Sequence, residues 1–199
     1  MTHDLYDKHR SSLESAVSAC RDRRYFSLFS ETPDRHRGGA DAQAAGRARH
    51  AAALGRSFDL DQPGTIGRAG AEVSPYTQQP LGIDYPRADP DALFAAGSRA
   101  MVGWAAASSE TRLGVCMEIV DRWYERVFDT AQAVMHTAGQ SSLMSYAGSG
   151  TNALDRGVEA LAYAQMAMNN ITPSARWERQ FGSTLIPLQK TYRLVPRGV

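Results

Sequence analysis

A mainly α-helical chain closed by a C-terminal β-hairpin is the fold class the sequence predicts, and three observations predict it. A capped apolar stripe with three- and four-residue spacing runs over 109–138, the pattern of an amphipathic helix. A second stripe, Tyr6, His9, Leu13, Ala16, Val17 and Cys20, lies within 4–20 and repeats at the same helical interval. The tail then changes character, with two extended segments at 177–181 and 188–195 on either side of Gly182-Ser183, which is the sequence form of a hairpin.

The elements follow in order. The 4–20 helix has one half-apolar face. Arg21-Asp22-Arg23-Arg24 then precedes Tyr25-Phe26-Ser27-Leu28-Phe29, an aromatic cluster read here as an anchor that docks an N-terminal arm on the body rather than as a base-stacking platform. Residues 39–54 are alanine-rich with a thin apolar stripe, so they form a surface helix by propensity. Over 55–90, Gly55, Gly64, Gly67, Gly70 and Gly82 alternate with Pro63, Pro75, Pro80, Pro86 and Pro90. Such punctuation breaks regular structure, and the segment reads as a wrapping connector with turns and room for one short strand.

Asp89-Pro90-Asp91 is a strong helix start, combining a side-chain acceptor, a proline at the first helical position and an acid favoured by the helix dipole. Leu93, Gly97, Ala100 and Trp104 share one face of that helix, flanked by Phe94 and Met101. Ser108-Ser109-Glu110 starts the next helix. Its stripe, Leu113, Cys116, Met117, Val120, Tyr124, Val127, Phe128, Ala131, Val134, Met135 and Ala138, predicts one unbroken helix over 109–138. Glu118, Asp121, Arg122, Glu125, Arg126 and Asp129 lie opposite, a solvated face with local pairs such as Glu118 and Arg122. Gly139 ends it. A last helix carries Leu154, Val158, Leu161, Gln165 and Met168 and stops at Asn169-Asn170 and Pro173,.

Composition bounds the function classes. The 199 residues are enough for one sizeable core, with 43% hydrophobic and 22% charged residues, an ordinary globular balance. A formal charge of +1, with bases interleaved with acids, excludes a charge-driven nucleic-acid or membrane binder. Lys8 and Lys190 are the only lysines among many arginines and alanines, a usage expected of a GC-rich bacterial genome. No basic leader followed by an apolar run and no stretch of membrane-spanning length is present, so a cytoplasmic location is expected. Two cysteines, Cys20 and Cys116, imply no disulfide framework.

The chemical motifs are thin. Gly148-Ser149-Gly150-Thr151-Asn152-Ala153 fits G-x-G-x-x-A, which seats a pyrophosphate where a strand turns into a helix. Here no buried strand precedes it, so a helix-capping link is expected. His3, His9, His36, His50 and His136 lack metal-ligand spacing with cysteines or acids, and no metal site is expected. No Gly-x-Ser-x-Gly elbow occurs.

The connector is the specific part of the chain. Phe58-Asp59-Leu60-Asp61-Gln62-Pro63-Gly64, Ala71-Glu72-Val73-Ser74-Pro75-Tyr76 and Leu81-Gly82-Ile83-Asp84-Tyr85-Pro86, with Met135-His136-Thr137-Ala138-Gly139-Gln140 and the final Val195-Pro196-Arg197-Gly198-Val199, closely resemble the N-terminal region of the phenylacetic acid degradation (PaaN) type of aldehyde dehydrogenase. Trp104 and Arg112 are similar to features of aldehyde dehydrogenases generally. The resemblance implies an α/β enzyme with a Rossmann-type cofactor domain, a catalytic domain and a bridging hairpin used in homo-oligomerisation. It also implies NAD or NADP as cofactor, a small aldehyde or semialdehyde as substrate, an activated cysteine as nucleophile and a glutamate that activates water.

It divides the chain into an N-terminal helix and wrapping arm (1–88), a helical N-terminal part of the cofactor domain (89–172) and bridging strands (173–199). The family's Pro-Trp-Asn motif would follow Gly198-Val199, so the chain reads as the front of a longer enzyme. By that reading Cys116 is not the nucleophile, Glu118 and Glu159 are not the base, and this portion carries no catalytic, cofactor-binding or metal residue. The faces bearing Trp104, Tyr124, Phe128 and Leu161 are expected to have lost part of their partner, which would leave the isolated portion sticky. A free-standing helical interaction module is the alternative, supported by the well-capped helices between 89 and 138.

Overall fold

Helix α1 (His3–Arg21) is the element around which the body is assembled. Its predicted stripe is buried at Tyr6, His9, Leu13, Ala16 and Cys20, and it packs on α4 (Ser109–Glu125) and α7 (Ala153–Met168). The computed structural model describes residues 3–196. The expected turn through Arg197 and Gly198 and the side chain of His3 lie outside the described residues. Close approach of α1 and α4 depends on Gly114, where a Cβ would stand 2.6 Å from the backbone nitrogen of Tyr6.

Ser108 caps α4 by accepting the N–H of Thr111 at 3.1 Å. The single helix expected over 109–138 is in fact two. The backbone bends at Arg126 (φ −109°, ψ 13°), and α5 (Val127–Ala138) leaves in a new direction. Asp129 in its first turn, hydrogen-bonded by Arg126, gives the second helix its own favourable start,. The apolar spacing passes through the bend uninterrupted, which is why periodicity did not record it. Tyr124, Val127 and Phe128 are all buried, and the bend aims α5 at α2 (Gly39–Ala53) and at the segment after α6 (Ser142–Tyr146).

Gly139 closes α5 in the left-handed conformation, φ 72°, as its position predicted. The segment 148–153, expected to be a capping link, instead lies in a π-helical turn (Ala147–Asn152) and the start of α7, joining α6 to α7 in one helical run. The alanine-rich α2 is a surface helix whose buried residue, Gly46, lies on Phe128. The aromatic cluster docks as expected: Phe26 and Phe29 are buried, while Tyr25 stays exposed. One apolar cluster therefore joins α1, the aromatic anchor, α4, α5, α6 and α7. Tyr124 and Phe128, on faces expected to have lost part of their partner, are buried in it.

The connector holds two strands rather than one: β1 (Thr65–Ala69) pairs antiparallel with β2 (Tyr85–Ala88) through a register irregularity between Thr65 and Gly67. Helix α3 (Pro90–Ala106) begins with Asp89 accepting the N–H of Asp91 at 3.1 Å, and none of its residues is buried. The tail forms the predicted hairpin with shifted limits, β3 (Ser174–Phe181) and β4 (Thr184–Thr191), in which Trp177 faces Leu188 and Phe181 faces Thr184. Pro187 sits inside β4, opposite Glu178. A two-stranded ribbon has only edges, so a proline is tolerated where it would break a central strand. Gly182 takes φ 62° in the two-residue turn, as primed hairpin turns require. Nearly all of the hairpin is exposed. Among the described residues no helix is long and apolar enough to cross a membrane.

Candidate functional site

On the face of α4 that was read as solvated, Arg122, Glu125 and Arg126 are exposed as expected, while Glu118 is buried between α1 and α4. Its Oε2 accepts Lys8 Nζ at 2.7 Å and His9 Nε2 at 2.8 Å, and its Oε1 accepts Arg122 Nε at 2.8 Å. Asp121, one turn on, accepts Arg37 Nη2 at 2.7 Å and lies 3.4 Å from Lys8 Nζ. The donor bonds from Lys8, Arg122 and His9 hold the Glu118 carboxyl down at about 2.

His9, Glu118 and Asp121 place ligand-capable atoms within 4.8 Å of one another, a spacing that could hold a cation. The Lys8 ammonium already lies among these atoms, and Arg37 and Arg122 take the remaining carboxylate oxygens. Two carboxylates facing three side-chain cations form a structural ion-pair network. General-base work needs a pKa near the working pH, and Glu118 is held far below it. Sequence reading found the Glu118–Arg122 pair but missed Lys8, His9 and Arg37. The available signal was His9 itself, an ionisable residue inside an apolar stripe.

Cys116 is half-buried on α4, and burial pushes its thiol up. A nucleophilic cysteine requires the opposite shift. Glu159 on α7 pairs with Arg156 at 3.0 Å. The G-x-G-x-x-A segment is unsuited to a pyrophosphate, because helix rather than strand precedes it. Gly150 is there for helix packing: a Cβ would meet Val127 at 2.6 Å. No step of chemistry is assigned to this turn.

Two further polar clusters fix the connections. Asp155 on α7, fully buried, accepts the backbone N–H groups of Leu28 at 2.8 Å and Phe29 at 3.2 Å and so pins the aromatic anchor. Ser74, also fully buried, holds the connector on α5 through a 2.8 Å hydrogen bond with His136 Nδ1. Where the hairpin leaves the body, a cavity of about 470 Å³ is lined by residues including Ser108, Arg112, Met168, Asn169, Tyr192 and Arg193. Arg112 donates to the carbonyl of Ala107 at 2.6 Å, and Arg193 donates to that of Ala105 at the same distance. Arg193 therefore ties the root of the hairpin to the end of α3, and Arg112 ties α4 to it.

Body, connector and hairpin together are similar to the crystal structure of an NAD-dependent aldehyde dehydrogenase from Burkholderia multivorans, at 40% identity and a TM-score of 0.91 over 99% of this chain. The chain is similar to part of an aldehyde dehydrogenase. It spans 35% of that relative's length, and the shared fold is the largely helical portion with its small β-hairpin. No protein-family profile and no curated protein matches the sequence.

Proposed function

We propose that this chain forms the N-terminal part of an NAD(P)-dependent aldehyde dehydrogenase that oxidises an aldehyde or semialdehyde to an acid, of the phenylacetic acid degradation type and acting in cytoplasmic aromatic catabolism. The carrying observation is the likeness over 99% of the chain at 40% identity, which includes the connector and the hairpin as well as the helices. Under this reading residues 1–88 wrap the body, 89–172 flank the cofactor domain, and 173–199 serve as an oligomerisation arm. The exposed apolar side chains of α3 and the hairpin, among them Phe94, Val102, Phe181 and Leu185, suit elements that pack against further protein.

The catalytic thiolate, the base and the cofactor cradle belong to the remaining portion of such an enzyme, so the 199-residue chain is inactive alone. The test is a titration of the chain with NAD and NADP, then assays with aromatic and aliphatic semialdehydes, with and without the remaining two-thirds of the Burkholderia enzyme supplied in trans. Turnover only in the combined sample is expected. Turnover by the chain alone would sink the proposal.

One observation favours the second reading, a free-standing helical interaction module: the apolar cluster closes within the chain, with Leu13, Met117, Val127 and Val158 essentially inaccessible to solvent. A chain that folds cooperatively by itself, yet neither binds the remaining portion of the relative nor restores its turnover, would support the module.

A further inference from the structure

The connector reaches α5 through a histidine pair that the proposed function does not use. Ser74 Oγ accepts the N–H groups of Tyr76 and Thr77, both at 3.3 Å. With its lone pairs so engaged, its hydroxyl hydrogen is the one left for His136 Nδ1 at 2.8 Å. His136 is therefore held as the tautomer with a bare Nδ1. Its ring is stacked on that of His50 from α2, with centroids 4.6 Å apart and planes 15° from parallel. Tyr76 meets the same ring edge-on and donates its hydroxyl to the carbonyl of Gln140 at 2.6 Å. His50 Nε2 is buried and has no hydrogen-bond partner among the described residues.

We propose that Ser74, His136 and His50 form an acid-sensitive clasp, which holds the 72–81 loop on α2 and α5 while both rings are neutral and releases it when they take up protons. A proton on His136 Nδ1 turns an acceptor into a donor facing a hydroxyl whose lone pairs are already used by the loop. The Ser74 turn and the imidazolium cannot both be satisfied. A second proton, on His50, puts like charges into contact across the stack.

Among the described residues, no acid lines the cavity beside the two rings. The adjoining cavity of about 310 Å³ is lined from α2 by Arg47 and His50, from the loop by Thr77 and Gln79, and from α5 by Gln132 and His136. Arg47 adds a further positive charge. Tyr76 is neutral, Asp129 on α5 is bound by Arg49 and Arg126, and Glu72 on the loop, whose Oε2 is buried without a partner among the described residues, is not among the groups that shift His50. Burial and the neighbouring His136 also push the pKa of His50 below its ordinary 6.5, the direction expected of a ring kept neutral by its site.

The sign follows from linkage. A histidine whose folded pKa is depressed stabilises the closed loop fully above the unfolded value, and that stability is lost as pH falls toward the folded value. Hydrogen exchange of the 199-residue chain, corrected for intrinsic rate between about pH 7.5 and about pH 5, reads this directly. The amides of Ser74, Gln78 and Leu81, whose acceptors lie inside the loop, should open more as pH falls below 6.5, by at most about tenfold per pH unit for the proton taken up by His50. Amides of α1 and α4 should hold. The double variant His50→Phe with His136→Asn keeps a ring for the stack and an acceptor for Ser74, and its loop opening should be independent of pH.

A flat wild-type profile, or a folded double variant with the wild-type slope, overturns the clasp. Should the variant not fold, the wild-type ring titration followed by NMR decides. His50 titrating below 6.5 in step with loop opening supports the clasp, and His50 titrating at or above 6.5 overturns it.

Discussion

The Asp155 carboxylate accepts the backbone N–H of Leu28 at 2.8 Å, a hydrogen bond closed across 127 residues. The same oxygen takes the N–H of Phe29. A side chain on α7 thus supplies to the aromatic anchor what a strand partner would supply elsewhere. Asp155→Ala should leave both amides without a partner and cost about 1–3 kcal/mol. Asp155→Asn keeps an acceptor and should cost less. Burial, only partly offset by the bonds from Leu28 and its neighbours, holds the Asp155 carboxyl above its ordinary 3.8. An acid with a raised folded pKa penalises folding fully above that value, and the penalty is relieved as pH falls toward 3.8. Denaturant melts from neutral pH downward should therefore show wild type gaining on Asp155→Asn, and a constant gap would refute the assignment.

Glu118 behaves in the opposite sense. Its carboxyl, ordinarily at 4.5, lies at about 2, so its contribution is complete above 4.5 and disappears as pH falls through about 2. Glu118→Gln should remove that acid-dependent step and cost about 1.5–3 kcal/mol, as expected for hydrogen bonds to a charged group. An acid-unfolding profile unchanged by the substitution would show that the network with Lys8, His9 and Arg122 carries no net stability.

Gly114→Ala tests the α1–α4 contact. A new Cβ 2.6 Å from a backbone nitrogen of α1 cannot be relieved by a rotamer change, so the helices must separate. A loss of about 1–3 kcal/mol is expected. Substituting alanine for glycine within a helix otherwise gains about 1 kcal/mol, so a stabilised variant would mean that the two helices are not closely packed at this point.

Cys116 should react with a thiol-directed disulfide reagent at neutral pH more slowly than a free thiol, because burial raises its pKa,. Equal labelling before and after unfolding would contradict its position on α4.

Replacing 174–191 by a short Gly-Ser link should leave the thermal unfolding of the helical body unchanged within about 0.5 kcal/mol, the scale of surface changes. The hairpin strands are exposed along nearly their whole length and contribute little to the core. Global unfolding on their removal would show that they are part of it.

The helices were legible because their signals are local. Asp89, Ser108 and Gly139 cap where the sequence placed caps, and the stripe of α1 is buried where the spacing put it. The bend at Arg126 was hidden because a stripe records which residues face inward and carries no information about whether the axis continues straight. Pro187 concealed the true start of β4, since a proline is excluded from central strands and permitted in a two-stranded ribbon. The polar clusters were the least legible. Lys8 and Glu118 are 110 residues apart, and nothing in either neighbourhood announces the other. Only the tertiary arrangement buries Glu118 on an otherwise exposed charged face.

The dependence of α1 on α4 and α7 has a consequence for synthesis. Helix α1, finished at Arg21, leaves the ribosome well before α7 is completed at Met168, and at ordinary translation rates the delay is about seven to thirty seconds. Until α4 is made, Tyr6, Leu13 and Ala16 lack one of the two helices they bury against, and until α7 is made they lack the other, so the nascent chain presents a sticky amphipathic segment. Helix α1 should thus be a natural landing point for a ribosome-associated chaperone, and slowing elongation between α1 and α7 should lower the yield of native protein more than slowing it within the hairpin.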